Sequence, residues 1–109
     1  MDGLAYENIT ARALKARLDA GDRPVLLDVR EPWEFELASI EGSTLIPMSE
    51  LAERFTELDP GVETVVICHH GNRSSYVAQA LGQAGFEKVE NLEGGLDAYS
   101  FVDESVPPY

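Results

Sequence analysis

The chain has 109 residues, enough for one domain with a modest core and too few for a second. Hydrophobic residues make up 44% of it and no apolar run is long enough to span a bilayer, the composition of a globular protein. The formal charge of −12 argues against nucleic acid and anionic membranes as partners, since both need a basic footprint, and any anionic substrate must be attracted by local groups.

Met1-Asp2-Gly3-Leu4-Ala5 lacks the basic and apolar regions of a secretory leader, so a reducing cytoplasm is the expected location. Tyr6-Glu7-Asn8-Ile9 reads as a short strand, and Thr10 caps a helix with Leu14 and Leu18 at i, i+4 spacing, ended by Gly21-Asp22. Asn8-Ile9-Thr10 matches a glycosylation acceptor, but without a leader it reads as coincidence or capping. Val25-Leu26-Leu27-Asp28-Val29, an apolar run broken by one acid, suits a strand covered on both faces. Pro32 starts a short helix through Leu37, and Thr44-Leu45-Ile46 is the next strand, stopped by Pro47.

Ser49 is placed to cap a helix with Leu51, Phe55 and Leu58 on one stripe, closed by Asp59-Pro60-Gly61. The strand-like segment Thr64-Val65-Val66-Ile67 follows. After a loop, Ser74 is placed to cap a helix with Val77, Ala78, Leu81 and Ala84 on one face, ending at Gly85. Lys88 to Leu92 is the last strand, Gly94-Gly95 leads into Leu96-Asp97-Ala98-Tyr99, and Val106-Pro107-Pro108-Tyr109 cannot continue a helix. The alternation predicts an α/β fold with a mostly parallel sheet of about five strands and helices on both faces, its sites lying beyond the carboxyl ends of the strands.

Cys68 stands at such an end. As the only cysteine it forms neither an internal disulfide nor a thiolate-rich metal site, which leaves reactivity or simple burial. In the run Cys68-His69-His70-Gly71-Asn72-Arg73-Ser74, a tight turn at Gly71 and a helix starting near Ser74 make backbone N–H groups converge on the sulfur. Helix amides and the Arg73 charge both favour a thiolate, the reactive form. His69 and His70 are the only histidines. With no distant cysteine or histidine, one tight loop does not build a tetrahedral site, so no metal is expected and the pair instead offers partial positive charge near pH ~6.5.

These residues resemble the rhodanese family of sulfurtransferases in its single-domain form. Cys68-x-x-Gly71-x-Arg73-Ser74 is similar to its active-site loop and Val77-Ala78-x-x-Leu81 to the helix behind it. Asp28-Val29-Arg30-Glu31 with Glu34-Phe35, then Ile40-Glu41-Gly42 and Ile46-Pro47, resemble two upstream signatures, and Asn91-Leu92-x-Gly94-Gly95-Leu96-x-Ala98-Tyr99 resembles the closing motif. The resemblance covers residues 6–103 of a single domain and leaves 104–109 as a short tail. The chain departs from the pattern at Ala38-Ser39, where the family usually has Gly-His, at Leu45 in place of asparagine, at Tyr99 where tryptophan is frequent, and at His69-His70 where other loops carry lysine or arginine.

The resemblance implies double displacement without a cofactor. Cys68 takes a sulfane sulfur from thiosulfate or a persulfide donor and passes it to cyanide or a thiol, with glutathione, a thioredoxin-like protein or a sulfur-carrier protein as possible acceptors. His69, His70, Gly71, Asn72, Arg73 and Ser74 form the substrate-binding loop, with Arg73 organising it and Ser74 as a cap. Asp28 and Arg30 are supporting candidates at the same edge. Arg30 reads first as a structural partner of Glu31 or Glu34, Trp33 and Phe35 as core or rim packing, and Gly94-Gly95 as backbone geometry beside the site. Two alternatives stay open. A cysteine phosphatase or arsenate reductase needs a similar cradle, but four residues separate Cys68 from Arg73 where those enzymes carry five. A non-catalytic binding or regulatory module usually lacks the cysteine that this chain keeps.

Overall fold

The continuous apolar runs at 25–29 and 64–67 need cover on both faces, and they lie inside a sheet of five parallel strands. A computed structural model describes residues 4–109; the start of the Met1–Ala5 stretch, and with it part of the leader expectation, lies outside the described residues. The sheet order is β1-β5-β4-β2-β3, from β1 (Glu7–Ile9), β2 (Val25–Asp28), β3 (Thr44–Leu45), β4 (Thr64–Ile67) and β5 (Val89–Leu92). The crossovers carry α1 (Ala11–Asp19), α2 (Pro32–Leu37), α3 (Leu51–Arg54) and α4 (Asn72–Gln83), and α5 (Gly95–Tyr99) follows the last strand. The expected fold class is the one observed.

Period-two alternation divides the apolar runs between two cores. Val65 and Ile67 of β4 pack with Leu26, Leu92, Leu14 of α1, and Leu96 and Tyr99 of α5. Val66 and Cys68 point the other way, onto Val77, Ala78 and Leu81 of α4, with Leu51 and Leu58 at the margin. Each fully buried side chain of this kind contributes about 1.5–3 kcal/mol. Val106, beyond α5, is buried in the first core, and Tyr109 packs partly against it.

Local signals act largely as expected. The Thr10 hydroxyl accepts from Ala13 N at 3.1 Å, and α2 opens on Pro32 with Glu31 N donating to Glu34 Oε1 at 3.1 Å. The Ser49 cap is not formed. Pro47 sets the turn earlier and Met48 N donates to Val29 O, so Ser49 lies inside a 3-10 turn (Met48–Glu50) that precedes α3. A second 3-10 turn (Phe55–Glu57) replaces the rest of the expected helix and leaves Phe55 exposed. Ala84 is likewise an exposed cap residue, and the chain turns at Gly85 with φ +101°. Among the described residues no helix is long and apolar enough to cross a membrane.

Candidate active site

Cys68 follows the last residue of β4, the strand flanked by β2 and β5, and is 1% exposed. Gly71 closes the loop with φ +98°, a conformation that favours glycine, and acts as the N-cap of α4. Two amides reach the sulfur: Gly71 N lies 3.1 Å and Ser74 N 3.3 Å from Sγ. The sulfur therefore sits where the loop and the first turn of α4 concentrate their N–H dipoles.

Because Gly71 supplies the turn, α4 starts at Asn72, and Ser74 falls inside the helix instead of capping it. The buried Ser74 hydroxyl lies 3.3 Å from Sγ and donates to Asn91 Oδ1 of β5 at 2.5 Å. Asn91 Nδ2 in turn donates to Asn8 Oδ1 of β1 at 3.1 Å. A polar chain thus runs from Cys68 across two strands, with buried Ser74 and Asn91 each satisfied by the next group.

The first turn of α5 holds the loop from its other side. Leu96 N donates to Cys68 O at 2.8 Å and Asp97 N to His69 O at 2.9 Å. This approach requires Gly95, whose φ is +61° and where a Cβ would stand 2.5 Å from Cys68 O. A Cβ on Gly71 would stand 3.2 Å from Gly94 N. The glycines of the two segments pack backbone to backbone.

Both arginines of the site are committed to carboxylates. Arg73 donates to Glu34 through Nη1 to Oε1 at 2.7 Å and Nη2 to Oε2 at 2.9 Å. That fork holds the Glu34 carboxyl down at about 2 and raises the Arg73 guanidinium. Arg30 is fully buried, and its partner carboxylate is Asp28 instead of Glu31 or Glu34: Nε to Oδ1 is 2.8 Å and Nη2 to Oδ2 is 2.6 Å. Its remaining donors go to Ala38 O, Glu34 O and the Tyr109 hydroxyl, so Arg30 ties the end of β2 to α2. Trp33 is 61% exposed and belongs to the rim, and Phe35 is half-buried.

His69 is half-buried with its ring between those of His70 and Tyr109, each centroid 4.0 Å away. Burial, followed by repulsion from His70, lowers its pKa below the usual histidine value, which keeps the imidazole neutral at pH 7. His70 is exposed, with Nδ1 3.9 Å from Asp97 Oδ2. Asp97 joins the histidines in a cluster whose donor atoms lie within 4.8 Å of one another, a carboxylate that the sequence reading did not associate with the pair. Asn72 is exposed at the start of α4.

The structure thus brings Cys68, His69, Gly71, Ser74 and Arg73 around one loop and sets Asp28 and Arg30 beneath it as a buried pair. It adds Glu34, Asn91, Asn8, Asp97 and Tyr109. Asn91 had a legible signal, an amide inside an otherwise apolar buried strand, which needs a partner. The sequence offers Glu34 to Arg30, and the structure gives it to Arg73 instead. Asp97 and Tyr109 had no local signal.

A protein-family model, the rhodanese-like domain, matches residues 10–101. Among curated proteins the chain is 41% identical over 93 residues to the rhodanese-like/PpiC domain-containing protein 12, chloroplastic, of Arabidopsis thaliana, covering 81% of this chain and 31% of that protein. It is 38% identical over 109 residues to the adenylyltransferase and sulfurtransferase MOCS3-1 of Zea mays, covering 93% of this chain and 23% of that protein. The chain spans about a third or less of the length of these relatives. Among solved structures, a rhodanese-related protein of Thermoplasma volcanium matches with a TM-score of 0.80 at 37% identity, over 94% of this chain and 96% of that one. The family model and the structural match each cover most of the chain, and the chain belongs to the rhodanese-like domain family.

Proposed function

We propose that this domain is a sulfurtransferase in which Cys68 carries a sulfane sulfur as a persulfide, taken in preference from a thiol persulfide. The carrying observation is the pair of amides, Gly71 N and Ser74 N, aimed at a thiol with no disulfide partner. Such donors stabilise a thiolate before attack and again when it is the leaving group. In the first step the Cys68 thiolate attacks the outer sulfur of R–S–SH; the Sγ–S bond forms, the donor S–S bond breaks, and R–S⁻ departs. In the second, an acceptor thiolate attacks the same sulfur and restores the Cys68 thiolate. Neither half-reaction needs an external oxidant or a cofactor, and a reducing cytoplasm keeps the resting thiol available.

The charge arrangement supports this donor class over thiosulfate. Arg73 and Arg30 are both paired with carboxylates, and His69 is neutral at pH 7, so the mouth offers little fixed positive charge to a dianion. Glutathione, a thioredoxin-like dithiol or a sulfur-carrier protein fits the acceptor role, with cyanide as a small substitute that yields thiocyanate. Arg73, turned onto Glu34, leaves the cradle without the free guanidinium that phosphate-ester chemistry needs.

Intact-mass measurement after incubation with glutathione persulfide, or separately with thiosulfate, tests both parts. The expected result is a gain of one sulfur, absent in Cys68→Ala, and faster loading from the persulfide. No gain from either donor overturns the carrier reading; faster loading from thiosulfate overturns the donor preference alone.

A further inference from the structure

Tyr109 lies beyond both the last helix and the matched family segment, yet it touches the site at two points. Its ring stacks on His69 with a centroid separation of 4.0 Å and an interplanar angle of 14°. Its hydroxyl accepts from Arg30 Nη1 at 2.7 Å and donates to Glu34 Oε2 at 2.8 Å. We propose that Tyr109 is a positioning residue of the Cys68 loop, its ring fixing the His69 side chain and its hydroxyl joining the buried Arg30 to the Glu34–Arg73 pair.

The contacts form a load path from a rigid base to the loop. Arg30 is fully buried and held at Asp28, Ala38 O and Glu34 O, so the donor that pins the phenol has nowhere to move. Glu34 Oε2 receives the phenol and Arg73 Nη2 together, which makes the orientation of Arg73 depend on both. Arg73 adjoins Ser74, whose amide and hydroxyl meet the sulfur. At His69, Asp97 N holds the carbonyl and Tyr109 holds the ring, so the residue next to the nucleophile is fixed through main chain and side chain alike.

The segment is anchored where it must be. Val106 is 1% exposed in the core beneath α5, which places the following residues within reach of the loop. Burial pushes the Tyr109 phenol up to about 12, so at neutral pH it remains a donor to Glu34. The groups that set the charge at His69 are His70, Asp97, Glu34 and Arg30, with the Tyr109 ring covering one face.

The inference rests on the persulfide-carrier reading for its kinetic test and stands apart from it for its spectroscopic one. Two variants divide the roles: Tyr109→Phe keeps the ring and loses the bridge, and Tyr109→Leu loses both. In an NMR titration of the full chain, Tyr109→Leu is expected to move the His69 imidazole pKa up toward about 6.5, while Tyr109→Phe leaves it near the wild-type position. In single-turnover loading of Cys68 by glutathione persulfide, Tyr109→Leu is expected to be about tenfold slower and Tyr109→Phe about threefold slower. In a His69→Ala background, the further loss from Tyr109→Leu is expected to shrink to that of Tyr109→Phe. An unchanged His69 titration with unchanged loading in Tyr109→Leu overturns the proposal. If Tyr109→Leu does not fold, unchanged loading together with an unchanged Arg73 side-chain resonance in Tyr109→Phe overturns it. Absence of loading in the wild type overturns the carrier reading instead, and the His69 titration then decides the positioning role.

Discussion

Glu34 and Arg73 meet fork to fork, at 2.7 and 2.9 Å, so the one arginine of the Cys68 loop is spent on α2 instead of on a ligand. Glu34→Gln weakens the fork and frees positive charge at the mouth. The variant is expected to lose about 1–3 kcal/mol of stability in urea unfolding. Its thiosulfate KM is expected to fall about threefold. An unchanged or higher KM would mean that Arg73 is not what limits capture of a dianion.

The same pair sets a stability gradient on the acid side. Glu34 is held at about 2 in the fold by its bonds to Arg73, against an ordinary value of about 4.3. Its contribution is fully present above the ordinary value and is lost as pH falls from about 4.3 toward 2. Thermal melts across that range are expected to show a shallower decline for Glu34→Gln than for wild type.

A pair of carboxylates, Glu63 and Glu90, acts in the opposite sense. Arg17 bonds to Glu63 at 2.7 Å and reaches Glu90 at 3.4 Å, and Glu90, buried on β5 beside Glu63, is pushed up to about 7 by burial and then by that neighbour. The fold keeps a proton there that the unfolded chain releases near pH 4.3, so stability declines as pH rises from about 4.3 toward 7. Melts of Glu90→Gln over pH 4 to 8 are expected to lose that decline.

Ser74→Ala removes the hydroxyl beside Sγ and leaves the Ser74 amide in place. Loading of Cys68 is expected to slow about five- to tenfold by stopped flow, and because the buried Asn91 Oδ1 loses its donor the variant is expected to lose about 1–3 kcal/mol. Asn91→Ala leaves the buried Ser74 hydroxyl without its acceptor and is expected to cost about 1–3 kcal/mol. A coupling energy near zero in the Ser74→Ala/Asn91→Ala double-mutant cycle would show that the two groups do not act together.

Gly95→Ala places a methyl against the carbonyls of Cys68 and His69 at φ +61°, and backbone cannot yield there as a side-chain tip can. It is expected to cost more than about 3 kcal/mol and to abolish loading. Gly85→Ala, with φ +101° but open space around it, is expected to cost only about 1–2 kcal/mol in the same chemical melt.

The fold was legible because its determinants are local: continuous apolar runs at β2 and β4, Thr10 before α1, Pro32 opening α2 and glycine at the ends of α1 and α4. The errors arose where two local signals competed. At Ser74 a good capping residue lost to Gly71, whose positive φ already makes the turn, and at Ser49 Pro47 set the chain direction first. The Cys68 loop was legible as a short contiguous run. Its supports were not, because Glu34, Asn91 and Tyr109 lie 39, 17 and 75 residues from the groups they bond, Arg73, Ser74 and Glu34. Arg30 shows the same limit at short range, since Asp28 two positions away outcompeted the acids expected to pair with it.

The sheet order makes the Cys68 loop depend on the far end of the sequence. β5 is the last strand in the chain but lies between the first strand and the strand that carries Cys68. β1 joins the sheet through β5, and the acceptor of the Ser74 hydroxyl and the hold of α5 on the Cys68 loop are set by that strand and the Gly94-Gly95 turn after it. A final strand one place in from the sheet edge thus ties the surroundings of Cys68 to completion of the sheet.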